Sequence, residues 1–275
     1  MTPSLICITD PADPRLGPFL RMRDRNLRAE HGGRRFLCEG RLVIERAVAC
    51  GIELESVLAV EAKAAAMRAL VSASTSVLAC PKKLMEAAAG FALHQGLVAV
   101  GRTPVGVTLD GVLAAARTRG GPGTLVVCPE VTNVDNLGLL VRVAAGLGAD
   151  GMVLGPGCAD PWYRRAVRTS MGTVFSLPLV RTGDLAAELE RLRAADYELV
   201  ATVIDADASA LADFVRGGGA GTAVLLGSEG YGLDAATVAA CARRVRIPMH
   251  RGVDSLNVAV AAGVVLYEVM RGVEG

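Results

Sequence analysis

The chain has 275 residues, enough for one large or two ordinary domains, and 52% of them are hydrophobic against 21% charged, which excludes a disordered chain and provides for a packed core. Its net charge of +1 does not mark the whole molecule as a polyanion binder. No apolar run reaches the roughly 18–20 residues needed to span a bilayer, since even the C-terminal run carries Asn257 and Glu268.

The N-terminus shows no basic-then-apolar leader pattern, so a cytoplasmic location and no membrane partner are expected. The seven cysteines (Cys7, Cys38, Cys50, Cys80, Cys128, Cys158, Cys241) never come within four residues of one another. That spacing opposes a zinc knuckle or a CxxC redox pair and predicts buried, reduced thiols. With three histidines (His31, His94, His250), chemistry on a histidine cluster is excluded, and no metal is expected.

Along the chain, residues 15–46 hold nine arginines (Arg15, Arg21, Arg23, Arg25, Arg28, Arg34, Arg35, Arg41, Arg46) against four acids (Asp24, Glu30, Glu39, Glu45). Such an arm reads equally as a phosphate-binding surface or as a solvated face in a chain that uses arginine over lysine throughout. "RFLCEG" and "ESVLAV" are strand-like, and "RLVIERAVACG" between them has helical apolar spacing with Gly51 as its stop. "SVLAC", a helix opening at Pro81, and "GLVAVGRT" continue the alternation. Residues 104–123, ending in a Gly/Pro cluster, read as a connection between domains at 1–103 and 124–275. From Thr124 the apolar strands "TLVVC", "GMVLG", "FSLPLV", "ELVATVI", "AVLLG" and "VRIPM" alternate with helical segments. The expected class is therefore α/β, with a parallel sheet covered on both faces in the C-terminal domain.

Three constellations carry chemistry. In residues 133–155, Leu139, Leu140, Val143 and Leu147 recur at helical spacing, Gly148 stops the helix, and Asn136 stands at its entrance as a cap. Arg142 inside that helix calls for either an ion pair or an anion. In "LLGSEGYGLD", Gly227, Ser228, Glu229, Gly230 and Gly232 make a side-chain-poor loop at the end of a parallel strand, where ligands of open α/β sheets bind. The loop departs from G-x-G-x-x-G, and Glu229 would repel a pyrophosphate, so a neutral or cationic ligand fits better; a tight turn is the plain alternative. In residues 246–270 a strand through Ile247 and Met249 leads to a helix with Ser255 and Asn257 at its mouth. Ser255 there is either a cap or a site group, and the small Ala259, Ala261, Ala262 and Gly263 behind it permit close backbone approach. "GCADPWYRRAVRTSMG" sets Arg164, Arg165 and Arg168 near an aromatic pair, compatible with RNA contact and equally with an exposed basic helix.

In this order and spacing the three segments resemble the SpoU/TrmH family of RNA ribose 2′-O-methyltransferases, within the SPOUT superfamily. The first looks like the family's N-x-x-N-L-G…R motif (Asn133, Asn136, Leu137, Gly138, Arg142) and the second like G-x-E-G-x-G-L (Gly227, Glu229, Gly230, Gly232, Leu233). The third is similar to I-P-M…S-L-N-V (Ile247, Pro248, Met249, Ser255, Leu256, Asn257, Val258), with Ala259 where a second serine is common and Asp135 where glycine is frequent. Residues 20–103, through "FLCEGRLVIERAV" and "HQGLVAV", look like the L30e-like RNA-binding domain often fused in front.

The resemblance implies a parallel α/β domain whose C-terminal segment is tucked into a deep trefoil knot, a homodimer with the site at the subunit interface, and S-adenosylmethionine as cofactor. It implies donor binding by Gly227, Ile247, Met249 and Leu256, with Arg142, Asn136, Glu229, Ser255 and Asn257 around the reacting ribose. A guanidinium is always protonated, so Arg142 is expected to hold a phosphate and favour the developing alkoxide rather than act as base. The expected partner is RNA, ribosomal ahead of transfer. A non-catalytic RNA-binding or assembly protein on the same fold, and a nicotinamide-dependent oxidoreductase, are the alternatives; the second lacks its loop.

Overall fold

The computed structural model describes residues 5–22, 32–90, 93, 95–228 and 230–271. The chain begins with β1 (Leu5–Cys7), β2 (Arg35–Glu39), α1 (Arg41–Ala49), β3 (Leu54–Val60), α2 (Glu61–Leu70), β4 (Ser76–Cys80), α3 (Lys82–Ala89) and β5 (Leu97–Arg102). It continues as α4 (Leu109–Arg119), β6 (Gly123–Cys128), α5 (Val134–Gly146), β7 (Gly151–Leu154), α6 (Arg164–Thr169) and β8 (Leu179–Arg181). The remainder is α7 (Leu185–Ala194), β9 (Tyr197–Thr202), β10 (Ser209–Ala210), β11 (Gly221–Leu225), α8 (Ala235–Ala239), β12 (Arg243–Arg246) and α9 (Val258–Met270).

Residues Met1–Val105 and Trp162–Phe175 form one compact unit. Its sheet has the order β1-β4-β3-β5-β2, with β1, β4 and β3 parallel and β5 antiparallel to both β3 and β2. Alternation along β5 turns Val98 and Val100 to one face, where they join Leu37, Leu58 and Leu78 with Leu16, Phe19 and Met85. Phe36, next to Leu37 on β2, meets Trp162 and Phe175 with ring centroids 5.0 and 5.6 Å away. At the end of β2 the carboxylate of Glu39 is buried and pairs with Arg164 at 2.5 Å and Arg168 at 3.5 Å. The basic and aromatic segment is thus partly internal, while Arg165 and Arg168 remain exposed on its helix. Trp162 belongs to a core, and Arg164 answers a carboxylate that cannot be left alone out of water. Of the arginine-rich arm, residues 23–31 lie outside the described residues.

Residues Gly106–Pro161 and Ser176–Gly275 form the second unit. Its seven strands are all parallel, in the order β10-β12-β9-β11-β6-β7-β8. β6 and β11, in the middle, are buried along their whole length, which is why they read as unbroken apolar runs. Leu125, Val127, Val153, Leu199 and Leu225 pack against Leu189 and Leu192 of α7 and against Leu109, Val112 and Leu113 of α4.

Several details depart from the sequence reading. Residues 109–119, inside the expected connection, are a helix whose apolar face is core, and residues 162–175, inside the expected C-terminal domain, group with the first unit. The strand drawn through "FSLPLV" starts only at Leu179, after Pro178, and the one drawn through Ile247 and Met249 ends at Arg246. In both places a proline without an N–H ends the ladder. The cysteines are all free, but only Cys38, Cys80, Cys128 and Cys158 are buried; Cys7 and Cys50 are exposed. Among the described residues no helix is long and apolar enough to cross a membrane, and no group of three or more His, Cys, Asp or Glu side chains is placed to hold a metal ion.

Removing the carboxylate of Glu39 leaves Arg164 half-buried without its countercharge. Glu39→Ala should lower unfolding stability in urea by about 3 kcal/mol, and adding Arg164→Met should recover most of that loss. A single variant as stable as the parent would show that the pair contributes nothing.

Candidate active site

From β6 the chain lays β7 and β8 to one side, then crosses to place β9, β11 and β12 on the other. The carboxyl ends of strands beside such a reversal are where open α/β sheets bind ligands. A cavity of about 420 Å³ lies there, at the ends of β9, β11 and β12. One wall is Thr202, Val203 and Ile204, with the Thr202 hydroxyl donating to Leu225 O at 2.8 Å. A second wall is Leu226, Gly227, Ser228 and Gly232, and a third is Ile247, Met249 and the segment from Asp254 to Val258.

The glycine loop closes on itself. Ser228 N donates to Gly232 O at 3.0 Å, Gly232 N donates back to Ser228 O at 3.1 Å, and Gly232 takes φ +68°. A methyl group on Gly227 would sit 2.4 Å from the Gly232 carbonyl carbon, so only glycine fits beneath the returning strand of the loop. Backbone rather than side chains therefore faces the cavity at this wall.

Two helix entrances meet at the cavity's lip. The cap of α5 is Asn133, whose Oδ1 accepts from Asp135 N at 2.9 Å and Asn136 N at 3.3 Å. Asn136 is thus freed from capping, contrary to its expected role, and its Oδ1 accepts from Asn257 Nδ2 at 3.1 Å. Asn257 in turn caps α9, its Oδ1 accepting from Ala259 N at 3.0 Å. Ser255 is therefore not the cap; it stands exposed in the preceding loop and lines the cavity. The bridging groups are neutral amides, and the carboxylates beside the two entrances are Asp135, in the first turn of α5, and Asp254, on the cavity wall.

The structure brings together Asn136, Gly227, Ile247, Met249, Ser255, Leu256 and Asn257 around one cavity. Glu229 lies outside the described residues. Arg142 is not in that group. It sits six residues beyond Asn136, about 9 Å further along α5 and about 240° around it, on a face shared with Leu139, Val143, Gly263, Val264 and Tyr267. Its side chain is exposed, which removes the cost that an enclosed arginine would carry. Sequence reasoning also missed Asn133 as the cap, the wall at Thr202–Ile204 and the carboxylate of Asp254. The wall follows from strand order, and only the apolar run "ELVATVI" hinted at it.

Among the described residues, no Lys, Arg or His lines the cavity, and Asp254 is its one charged side chain. A pyrophosphate would find no countercharge here, whereas a ligand with an apolar ring and a cationic centre would. The dimensions and the mix of apolar wall, exposed backbone and few convergent polar groups suit a small organic cofactor.

Comparison with known proteins bears on this geometry. The model of the SpoU rRNA Methylase family matches residues 123–267, spanning every element that lines the cavity. An "uncharacterized tRNA/rRNA methyltransferase" of Mycobacterium tuberculosis is 37% identical over 95% of this chain and 90% of its own length. An AdoMet-bound rRNA methyltransferase from Sinorhizobium meliloti superposes with a TM-score of 0.82 at 25% identity, covering 98% of this chain and 99% of the other. An RNA 2′-O ribose methyltransferase superposes with a TM-score of 0.77 at 30% identity over 97% and 98% of the two chains.

The amide bridge predicts a coupling that unfolding measurements can read. Asn136→Ala and Asn257→Ala should each destabilise, the second more because it also uncaps α9. In a double-mutant cycle the pair should show a coupling of about 0.5–1 kcal/mol. Strict additivity would mean that the two entrances are not held together by this bond.

Proposed function

The chain belongs to the SpoU rRNA Methylase family, which uses S-adenosylmethionine, and on that footing we propose that it transfers a methyl group to a ribose 2′-hydroxyl of RNA, ribosomal RNA first. The observation that carries this reading is a cavity without cationic side chains, cradled by a glycine loop and bounded by two helix entrances. S-adenosylmethionine, when bound, supplies a methyl group already activated by its sulfonium charge. Leu256, Ile247 and Met249 offer an apolar slot for a purine, and the backbone at Gly227 offers hydrogen bonds at close range. Asp254 favours a cation nearby.

The chain's remaining task is to ready the 2′-oxygen. Asn136, Asn257 and Ser255 hold the ribose at the lip, and Glu229 keeps the orienting role that its motif implies. Arg142 grips an RNA phosphate and stabilises charge developing on the oxygen, while a phosphate oxygen or water accepts the proton. Selection of a 2′-hydroxyl makes RNA, not DNA, the substrate. The first unit acts as an L30e-like RNA-holding domain.

Arg142 reaches that oxygen through a second copy of the chain. Leu139, Val260, Val264 and Tyr267 leave 38%, 54%, 42% and 63% of their surface in water, a stripe along α5 and α9 that also holds Arg142 and Gly263. An apolar stripe of this kind is covered in a two-fold dimer, where each protomer presents the same face. Gly263 supports this: a methyl there would meet only Val143, at an ordinary 3.8 Å, so its slimness serves no contact within the chain. The run from β12 to α9 passes the ends of β9 and β11 before packing on α5, a path that fits the expected knot.

Incubation with S-adenosylmethionine and total RNA from cells lacking the gene, followed by nuclease digestion and mass spectrometry, should yield a 2′-O-methylnucleoside; a base-methylated product would refute the ribose reading. Arg142→Ala should cut transfer by about 100-fold or more with donor affinity unchanged. Mixed with Asn257→Ala it should regain about a quarter of wild-type activity, since about half of the dimers are mixed and each of those has one intact site of two. No recovery would place Arg142 with its own chain's cavity. Val264→Glu should yield monomers without transferase activity, read by sedimentation.

A further inference from the structure

Resting on the ribose reading, we propose that Tyr231 is the platform on which an unpaired RNA base stacks beside the ribose that is methylated. Its ring is 96% exposed, more than any other large hydrophobic side chain among the described residues. A phenol ring ordinarily buries its faces and keeps only its hydroxyl wet, so a ring held wholly in solvent is available for a partner. The sequence around it keeps it bare: a methyl placed on Gly230 or Gly232, its two neighbours, would have no heavy atom within 4 Å.

The loop beneath the ring is closed by the paired Ser228 and Gly232 hydrogen bonds, so Tyr231 stands on a short, tied support at the rim of the candidate donor cavity. A ligand that meets it finds the ring already presented. The cavity itself offers RNA no cationic side chain among the described residues, and a phosphate held by Arg142 fixes the backbone and not the base, so a base at this rim needs a contact of another kind. Stacking on an aromatic face does this and tolerates any base. The ring also differs from the apolar stripe on α5 and α9. Its two chain neighbours, Gly230 and Gly232, add no apolar side chain to it, which fits a flat, single ligand.

The test uses Tyr231→Ala, Tyr231→Phe and Tyr231→Trp in the full-length protein. With total RNA from cells lacking the gene and methyl-labelled S-adenosylmethionine, the alanine variant should raise KM for RNA by about ten-fold or more, leaving KM for the donor and the thermal midpoint unchanged. The phenylalanine and tryptophan variants should retain wild-type values, because the ring and not the hydroxyl is used. An unchanged KM in the alanine variant, or a phenylalanine variant as impaired as alanine, would overturn the proposal. So would a loss of dimer in sedimentation, which would assign the ring to a second copy.

A separate reading removes dependence on the target atom. A single-stranded oligoribonucleotide carrying 2-aminopurine should lose fluorescence on binding the parent and the phenylalanine variant, and not on binding the alanine variant. If that contrast appears while the methyl group is found on a base, the ribose reading falls and the stack stands. If the methyl group is on a 2′-oxygen and the contrast is missing, the stack falls alone.

Discussion

The carboxamide of Asn257 ties together the entrances of two helices that pack along their length, α5 and α9. Its oxygen caps α9, and its nitrogen reaches Asn136 in the first turn of α5, 121 residues earlier in the chain. A carboxylate in place of this amide would lack the donor, and a serine would lack the reach. Because Asn133 has already capped α5, Asn136 can spend its oxygen on the bridge. The result is a lip where two helix entrances meet, with Asp135 in the first turn of α5 and Asp254 on the cavity wall as its carboxylates. The cavity's walls depend on this: the loop holding Ser255 and Leu256 is anchored at one end by β12 and at the other by the Asn257 bridge.

Charge is distributed unevenly between the two faces of α5. The cavity at one side of it is neutral apart from Asp254 of the loop before α9, while the outward face of α5 carries Arg142 among apolar side chains. A guanidinium beside a bound sulfonium would repel it in an unassembled chain. Within one chain the arginine therefore lies apart from the cavity, and a donor bound there would not face its charge.

Much of the fold was legible because parallel strands buried on both faces, such as β6 and β11, write their position as unbroken apolar runs. Prolines misled at two strand ends, Pro178 and Pro248, where the apolar pattern runs on but the hydrogen-bond ladder cannot. The α4 helix was hidden by the Gly/Pro cluster that follows it, which reads as a connection. For the site, the glycine loop and the Ser255–Asn257 mouth could be read from residue type, since few other uses require those groups in that order. Which asparagine caps and which one bridges could not, because an Asx residue three positions either way satisfies the same local pattern and only the partner across the chain decides. The separation of Arg142 from the cavity follows from helical phase, which turns it away from Asn136; the motif that groups the two did not show it.

Besides the cavity bounded by Asn257, the second unit has a cleft lined by Glu130, Glu190 and Asp234 near the ends of β6 and β7. A crystal structure of the protein grown with S-adenosylmethionine separates them directly. Density for the adenosyl group between Leu256, Ile247 and the backbone at Gly227, with the Asn257–Asn136 bond intact, is the expected result. Density in the acidic cleft, or a donor bound with the two helix entrances apart, would contradict it.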